Sequence, residues 1–307
     1  MSTIRTVTGD IDPNQLGICH PHEHLIGAPP PPYDSQDPDL VLEDEAAAIA
    51  SVRELQAAGG SALVEMTPID YNRDPLALQR ISQATGLHII AITGYLKDKF
   101  CRPLVEKQSV EQLTRRFIHE IKHGMDGTDI RAGAIKAASS LNEITPAEQK
   151  VFEAAAQAQL ATGALISTHT EAGTMALEQI ALLTGLGVPA DRILIGHMDR
   201  KLDADYHRAV ADMGVYMGFD QIGKPQYASE ADHIAMLQML IQRGHLNQIM
   251  LSMDIARKRY LPVYGGNPGF AYLLNDFVPL LRSTEMTDET INVMLKENPK
   301  RALAIET

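Results

Sequence analysis

The chain has little cysteine, no excess of positive charge and no hydrophobic run long enough to span a bilayer. Two cysteines, Cys19 and Cys101, are too few for a disulfide framework, so we expect free thiols in a reducing compartment. Because the first residues lack an apolar signal segment, we expect a cytoplasmic protein that does not contact membranes.

The charge balance excludes another class of partner. There are 27 Lys and Arg residues against 39 Asp and Glu residues, which gives a formal net charge of -12. Nucleic-acid backbones and anionic membranes attract proteins with a basic surface, so neither is an expected partner. An anionic small molecule would have to be bound by a local cluster of basic residues.

The chain does contain a regular alternation of apolar runs and amphipathic segments, with 45% hydrophobic residues in total. Apolar residues occupy both faces of the short runs, as in parallel strands that are covered on both sides. The predicted strands are residues 17–22, 61–67, 88–94, 131–137, 164–169, 192–197, 214–220 and 248–254. With no linker between them, residues 1–307 are predicted to form one α/β domain, a (β/α)8 TIM barrel. An open doubly wound sheet is the alternative that the same alternation allows.

Potential metal ligands lie where the predicted strands end. His22 and His24 follow the first strand, His169 ends the fifth, His197 the sixth and Asp254 the eighth. The carboxyl ends of barrel strands open onto one face, so these side chains are expected to converge there. His-x-His alone is a weak signal, but four histidines and a carboxylate in this arrangement predict a site for Zn²⁺ or a similar divalent ion.

Lys136 is unusual because it lies inside the apolar run 134–138. Burial of an unpaired ammonium group is costly, so the side chain either extends to solvent or pairs with a carboxylate. A third interpretation is that the neutral amine reacts with CO₂ to give an anionic carbamate whose two oxygens bridge two metals. The residues alone leave these alternatives open.

A second histidine pair forms the motif His-Glu-x-x-His at residues 119–123, which is typical of helical zinc sites in metalloproteases. The predicted helix buries Leu113, Phe117 and Ile121, which leaves His119 and His123 off the buried face. The third histidine of a metzincin is absent from the segment that follows. We interpret this motif as exposed helix surface.

Several short motifs follow one another in a characteristic order. They are His-Glu-His-Leu at 22–25, Thr-Gly-Tyr at 93–95, Ala-Gly-Ala-Ile-Lys at 132–136, Ser-Thr-His-Thr at 167–170, Ile-Gly-His at 195–197, Ser-Met-Asp at 252–254 and Glu-Asn-Pro at 297–299. Through them the chain resembles the phosphotriesterase-like family of the amidohydrolase superfamily. The resemblance implies a distorted (β/α)8 barrel, a two-metal centre at the carboxyl ends of its strands and, by analogy, a homodimer.

The resemblance also implies a role for each ligand. His22, His24 and Asp254 would hold the inner ion, His169 and His197 the outer one, and Lys136 would bridge them as N6-carboxylysine. The ions would be zinc, with manganese, cobalt or iron as alternatives. Attack would come from a hydroxide shared by the two ions, and Asp254 would accept its proton and pass it to the leaving oxygen.

The substrate is predicted from the loops at the same face. Lys224 and Arg257 lie in loops seven and eight, where β/α barrels often bind phosphate, so this pair predicts an anion pocket. Tyr95, after the third strand, is predicted to contact substrate or to pack in the core. We therefore expect a lactonase that acts on a small polar sugar lactone carrying phosphate or carboxylate.

Three alternatives to lactone hydrolysis remain. The same centre would suit hydrolysis of phosphotriesters or of N-acyl amides. A barrel that binds a ligand without turnover is the remote alternative, which the intact set of six ligand positions disfavours.

Overall fold

The structure is a computed structural model that describes residues 2–306. The strands are β1 (Ser2–Thr6), β2 (Gly9–Ile11), β3 (Cys19–Glu23), β4 (Ala62–Glu65), β5 (His88–Gly94), β6 (Ala134–Ser139), β7 (Leu165–Thr170), β8 (Ile193–Ile195), β9 (Tyr216–Phe219), β10 (Ile249–Leu251) and β11 (Ile305–Glu306). Eight parallel strands form one large sheet in the order β3 to β10, and a small antiparallel sheet pairs β11, β1 and β2. Each predicted strand overlaps one strand of the large sheet, in the same order.

The first and last strands of the large sheet meet and nearly close it into a barrel. The backbone N–H of Asp254, just after β10, donates to the carbonyl of His22 in β3 at 3.0 Å. The buried carboxylate of Glu23 accepts from the N–H groups of Met253 and Ile255, each at 2.9 Å. These hydrogen bonds join the two edge strands, which no regular β-pairing connects among the described residues. The predicted single distorted (β/α)8 barrel is confirmed, and the open doubly wound sheet is wrong.

Helices connect the strands and cover the outside of the barrel. They are α1 (Tyr33–Gln36), α2 (Glu45–Ala57), α3 (Pro75–Thr85), α4 (Asp98–Val105), α5 (Val110–Lys122), α6 (Pro146–Thr162), α7 (Ala176–Gly185), α8 (Ala204–Asp212), α9 (Glu230–Gln242), α10 (Val278–Ser283), α11 (Asp288–Asn292) and α12 (Asn298–Leu303). The capping box of Thr145 and Glu148 begins α6, with Pro146 at its first position, and Gly163 ends it at φ 74°. None of the helices within residues 2–306 combines the length and apolarity needed to cross a bilayer.

The core has two layers, which decide where polar side chains can lie. The outer layer packs the strands against the helices, whereas a smaller inner cluster that includes Ala134 and Leu165 fills the barrel lumen. Side chains alternate along a strand, so Lys136 shares the lumen face with Ala134, and His169 shares it with Leu165. The lumen is therefore apolar at the amino end of the strands and polar at the carboxyl end.

Candidate active site

The structure brings the six predicted ligand side chains together at the carboxyl end of the barrel. We call them the ligand cluster: His22, His24, Lys136, His169, His197 and Asp254. Two of them lie at sharp turns directly after strands, because His197 and Asp254 have φ values of 59° and 48°. This left-handed conformation is uncommon for residues other than glycine and is often found where a site fixes the direction of a side chain.

Four members of the ligand cluster, Lys136, His22, His24 and Asp254, form one side of it. The Lys136 Nζ atom lies 3.3 Å from Nε2 of His22. One carboxylate oxygen of Asp254, Oδ1, lies 3.3 Å from Nε2 of His24 and 3.8 Å from Nε2 of His22. The ligand atoms of His22, His24 and Asp254 all fall within 4.8 Å of one another, which is close enough to hold one ion.

The other two histidines form the opposite side of the ligand cluster. Nε2 of His197 lies 2.8 Å from Nδ1 of His169. The His197 ring is also close to that of His22, with 4.8 Å between the ring centroids. Two nitrogen ligands therefore face each other next to the first group of three.

A single buried carboxylate orients two of the histidines. Asp220 Oδ1 lies 2.6 Å from Nδ1 of His197, and its Oδ2 lies 3.2 Å from Nδ1 of His22. Both rings then direct Nε2 toward the centre of the site. His22, His197 and Asp220 also lie close enough together to hold an ion. We assign Asp220 to positioning instead, because its two oxygens are already directed at the outer ring nitrogens.

The remaining histidines have outer partners of their own. Thr67 donates to Oε1 of Glu65 at 2.6 Å, so the Thr67 oxygen is free to accept from Nδ1 of His24 at 3.0 Å. Nε2 of His169 lies 3.0 Å from the carboxylate of Glu171. Every histidine of the ligand cluster thus has a partner on the nitrogen that points away from the centre. This arrangement is characteristic of metal-binding histidines, because it fixes ring orientation and tautomer.

Burial controls the protonation of these groups. It lowers the pKa of His22 to about 3 and the pKa of His169 to about 3, assisted by neighbouring positive charges on Lys136 and His197, respectively. Both imidazoles are therefore neutral at neutral pH, which is the form that binds metals. Burial also lowers the pKa of Lys136 to about 8, so about a tenth of its amine is uncharged at pH 7.

A cavity of about 310 Å³ opens directly above the ligand cluster. We call the outer part of its lining the rim. The rim residues are Tyr33, Gln36, Asp37, Tyr71, Lys97, Lys99, Phe100 and Arg257. They lie on the segment after β3 and on the loops after β4, β5 and β10, so the cavity is enclosed by loops and not by strands.

Arg257, a predicted substrate-binding residue, is among the residues that line this cavity. Its guanidinium group is also paired with Asp37 at 2.7 Å and with Asp39 at 3.2 Å. These pairs connect the loop after β10 to the segment that contains α1. The position of Arg257 suits contact with substrate, although its charge is shared with two carboxylates.

The structure does not support substrate contact by Tyr95. The residue is fully buried and packs against Phe117 of α5, with its hydroxyl 3.3 Å from the guanidinium of Arg116. Alternation along β5 explains this position, because Ile92 belongs to the lumen cluster, and Tyr95 is an odd number of residues away. Tyr95 is therefore corrected to a core residue.

Lys224 also lies outside the cavity and is corrected in the same way. Its side chain is 2% exposed, and Nζ donates to the backbone carbonyl of Asp254 at 2.5 Å and to Oε1 of Gln221 at 3.1 Å. The loop position was predicted, but the direction of the side chain depends on these contacts. An anion in the cavity would instead meet Arg257 and the lysines of the rim.

Sequence reasoning missed several residues of the site. Asp220 ends the seventh predicted strand, so the rule that identified Asp254 could also have identified it. Lys97 and Lys99 follow β5 closely, which is a weaker signal of the same kind. For Tyr33 and Asp37 the sequence offers no signal, because they belong to an irregular segment that folds over the barrel.

The other histidine pair lies apart from the cavity. His119 and His123 are exposed on one side of α5 and just after it, with ring centroids 5.2 Å apart. The glutamate between them, Glu120, is buried and accepts hydrogen bonds from Arg73 and Thr93. These hydrogen bonds hold α5 against the barrel. The exposure of His119 and His123 agrees with the interpretation of the motif as helix surface.

Comparison with known proteins gives a consistent result. Residues 2–303 match the phosphotriesterase family. The phosphotriesterase homology protein of Escherichia coli is 39% identical over 94% of this chain and 98% of its own. Its crystal structure, with phosphate in the active site, superposes with a TM-score of 0.91 over 95% of this chain and 100% of that one.

Two further relatives have named activities. An N-acetyltaurine hydrolase of Danio rerio is 32% identical over 99% of this chain and 98% of its own. A phospho-furanose lactonase of Mycoplasmopsis synoviae is 33% identical over 98% of this chain and 92% of its own. The match over nearly the whole length, together with the barrel and the converging ligand cluster, shows that the chain belongs to the phosphotriesterase family of metal-dependent hydrolases.

Proposed function

We propose that this protein is a two-metal lactonase that acts on a small anionic lactone, such as a phosphorylated sugar lactone. The observation that carries the proposal is the ligand cluster, whose four histidines have outer partners and direct their inner nitrogens toward the floor of a cavity. Groups arranged in this way are preorganised for metal ions before any ion binds.

The donor set fits two divalent ions. His22, His24 and Asp254 would hold the inner ion, and His169 and His197 the outer ion. Imidazole and carboxylate donors suit zinc best, with manganese, cobalt or iron as alternatives. Bound in this way, the ions would activate a water molecule and polarise the scissile carbonyl group.

Lys136 would bridge the two ions after carboxylation. Its amine is buried at the centre of the ligand cluster with a lowered pKa of about 8, which makes the nucleophilic neutral form accessible. The amine lone pair would attack CO₂, a nitrogen–carbon bond would form, and one proton would be released. The product is an anionic carbamate, which removes the cost of a buried ammonium group.

The residues of the chain would divide the remaining work of hydrolysis. Asp254 is the carboxylate of the ligand cluster and lines the cavity, and its Oδ1 faces His22 and His24. It would accept the proton of the attacking water and return it to the ring oxygen as the carbon–oxygen bond breaks. The product is the open hydroxy acid.

The rim favours an anionic substrate. Three cations, Lys97, Lys99 and Arg257, line the cavity of a protein whose net charge is strongly negative. Lys97 and Arg257 are paired with carboxylates, whereas Lys99 has none within 4 Å among residues 2–306 and lies over the Tyr33 ring at 4.1 Å. Two relatives are named for a phospho-furanose lactone and for N-acetyltaurine. The phosphate of the first and the sulfonate of the second are negatively charged, so they would pair with these cations.

Hydrolysis of an N-acyl amide is the second candidate, because a relative of similar identity is an N-acetyltaurine hydrolase. The rim would bind the sulfonate of such a compound as it binds phosphate. Bulky uncharged phosphotriesters would gain nothing from the rim cations, so we rank them lower. Cytoplasmic location and a homodimer remain predictions, which cell fractionation and light scattering would test.

One screen distinguishes these functions. Protein purified without chelator is analysed for metal content, and its zinc form is assayed against a phosphorylated aldonolactone, the same lactone without phosphate, N-acetyltaurine and paraoxon. The highest kcat/KM is expected for the phosphorylated lactone. Turnover of N-acetyltaurine alone would assign amide hydrolysis. A protein without metal and without turnover would indicate a binding barrel.

A further inference from the structure

The two oxygens of the Asp254 carboxylate have different surroundings. Oδ1 faces His22 and His24, at 3.8 Å and 3.3 Å from their Nε2 atoms. Oδ2 points away from these histidines and accepts a hydrogen bond from the side-chain amide of Gln221 at 2.9 Å. The ammonium group of Lys224 lies 3.6 Å from the same oxygen. Each oxygen therefore has its own set of partners.

Lys224 determines which way the Gln221 amide faces. An ammonium group can only donate hydrogen bonds, so the atom of Gln221 that lies 3.1 Å from Lys224 must be the carbonyl oxygen. The amide NH₂ then faces Asp254, and it also lies 3.1 Å from Oδ1 of Asp220. The donor to Asp254 is consequently fixed by chemistry and not by an arbitrary choice between amide nitrogen and oxygen.

The loop after β9 holds both residues firmly. The backbone N–H of Gln221 donates to the buried carboxylate of Asp199 at 2.7 Å. Gly223 has a φ of 79°, and a Cβ atom there would lie 2.8 Å from Pro268. Lys224 also donates to the backbone carbonyl of Asp254, which ties this loop to the loop after β10. Neither side chain has room to swing into the cavity without breaking these contacts.

We propose that Gln221 and Lys224 are positioning residues that hold the Asp254 carboxylate with one oxygen toward His22 and His24, and that Lys224 does not bind substrate. This inference rests on the proposed function, because it assigns the pair a part in the same reaction. Since an amide does not titrate near neutral pH, Gln221 keeps Asp254 in place but does not take its proton.

The inference predicts how two variants behave. Lys224→Met removes the charge, and Gln221→Glu keeps the shape of the side chain but removes the donor to Asp254. Both should lower kcat by about 10- to 100-fold, the usual effect of losing a partner of a metal-site residue. The loss should be equal for a phosphorylated lactone and its unphosphorylated counterpart, with KM changed by less than about threefold. A residue that binds the phosphate would instead raise KM for the phosphorylated lactone alone.

A second readout does not depend on turnover. The cobalt-substituted protein is expected to show a visible absorption spectrum that shifts in both variants, because Asp254 is a proposed ligand. Lys150→Met is the matched control, since Lys150 likewise donates two hydrogen bonds, to the backbone carbonyls of Glu106 and Gln108, but lies outside the cavity. The control should leave the spectrum and kcat unchanged.

The outcomes separate this inference from the proposed function. A spectrum and kcat that are unchanged in both variants, or a rise in KM confined to the phosphorylated lactone, would overturn the positioning role alone. Failure of the wild-type protein to bind cobalt would overturn the proposed function and this inference with it. Should Lys224→Met fail to fold, as judged by circular dichroism, the isosteric Gln221→Glu variant still decides the question.

Discussion

The ligand cluster and the rim hold their charged groups in different ways. In the ligand cluster, side chains at the ends of strands are mostly buried, and each histidine has a partner close to its outer nitrogen, such as Asp220 or Glu171. On the rim, Lys97 and Arg257 lie in loops and Lys99 lies at the start of α4, and all three remain partly exposed, with Arg257 at 27% and its partner Asp37 at 38%. Buried groups that are held by partners are preorganised, whereas exposed ion pairs are weak and can exchange partners. The ligand cluster is thus suited to metal binding and catalysis, and the rim is suited to substrate selection.

The largest expected effect is at the ligand cluster itself. Asp254→Asn keeps the shape of the side chain but removes the proton acceptor, so kcat should fall by at least about 100-fold. Steady-state kinetics of the zinc form measures this, with metal content determined in parallel. Asp205→Asn, at a side chain that is 87% exposed, is the control and should retain wild-type kcat. A kcat within about threefold of wild type would contradict the assigned role.

The next effect concerns the partners of the ligand cluster. Asp220→Asn disturbs the ring orientation of both His22 and His197, so zinc affinity should fall by about 10- to 100-fold. Competition with a coloured chelator measures the affinity. The control is Asp212→Asn, which changes an exposed carboxylate. Equal zinc affinity in Asp220→Asn and the wild type would show that the Asp220 carboxylate is not needed for zinc binding.

A smaller and more selective effect is expected on the rim. Arg257→Met removes a charge-assisted contact with an anion and should raise KM about 10-fold for a phosphorylated lactone. KM for the unphosphorylated lactone and kcat should change little. Arg282→Met is the control, because Arg282 is also paired with a carboxylate but lies outside the cavity. An equal rise in KM for both lactones would contradict the role of the rim in selecting anionic substrates.

The smallest expected effect is that of Lys99→Met. This lysine is exposed and carries its charge over an aromatic ring, so its removal should raise KM for the phosphorylated lactone by about two- to fivefold. The effect should weaken further at high salt, because exposed charges are screened. The exposed Lys122→Met variant serves as the control. An effect larger than that of Arg257→Met would place the substrate anion on the α4 side of the cavity.

The ligand cluster was predictable because strand ends follow from local sequence. Runs of apolar residues with polar ends identify the strands, and in a barrel all carboxyl ends open onto one face. The same rule, that polar residues at strand ends converge, also applies to Asp220, which the sequence analysis did not identify. The rim could not be predicted in this way, since the segment with Tyr33 and Asp37 has neither an apolar pattern nor a strand end, and its position results from contacts such as that of Asp37 with Arg257.

The sequence by itself determined the order of strands, the barrel and the side chains that converge at its carboxyl end, because each follows from periodicity and from position along a strand. Only the tertiary structure decided the direction of Tyr95 and Lys224, one packed behind the barrel wall and the other bonded to Asp254. It also placed Asp220 between two histidines, and Lys99 beside the cavity. Side-chain direction in loops depends on partners distant in sequence, and no local pattern encodes it.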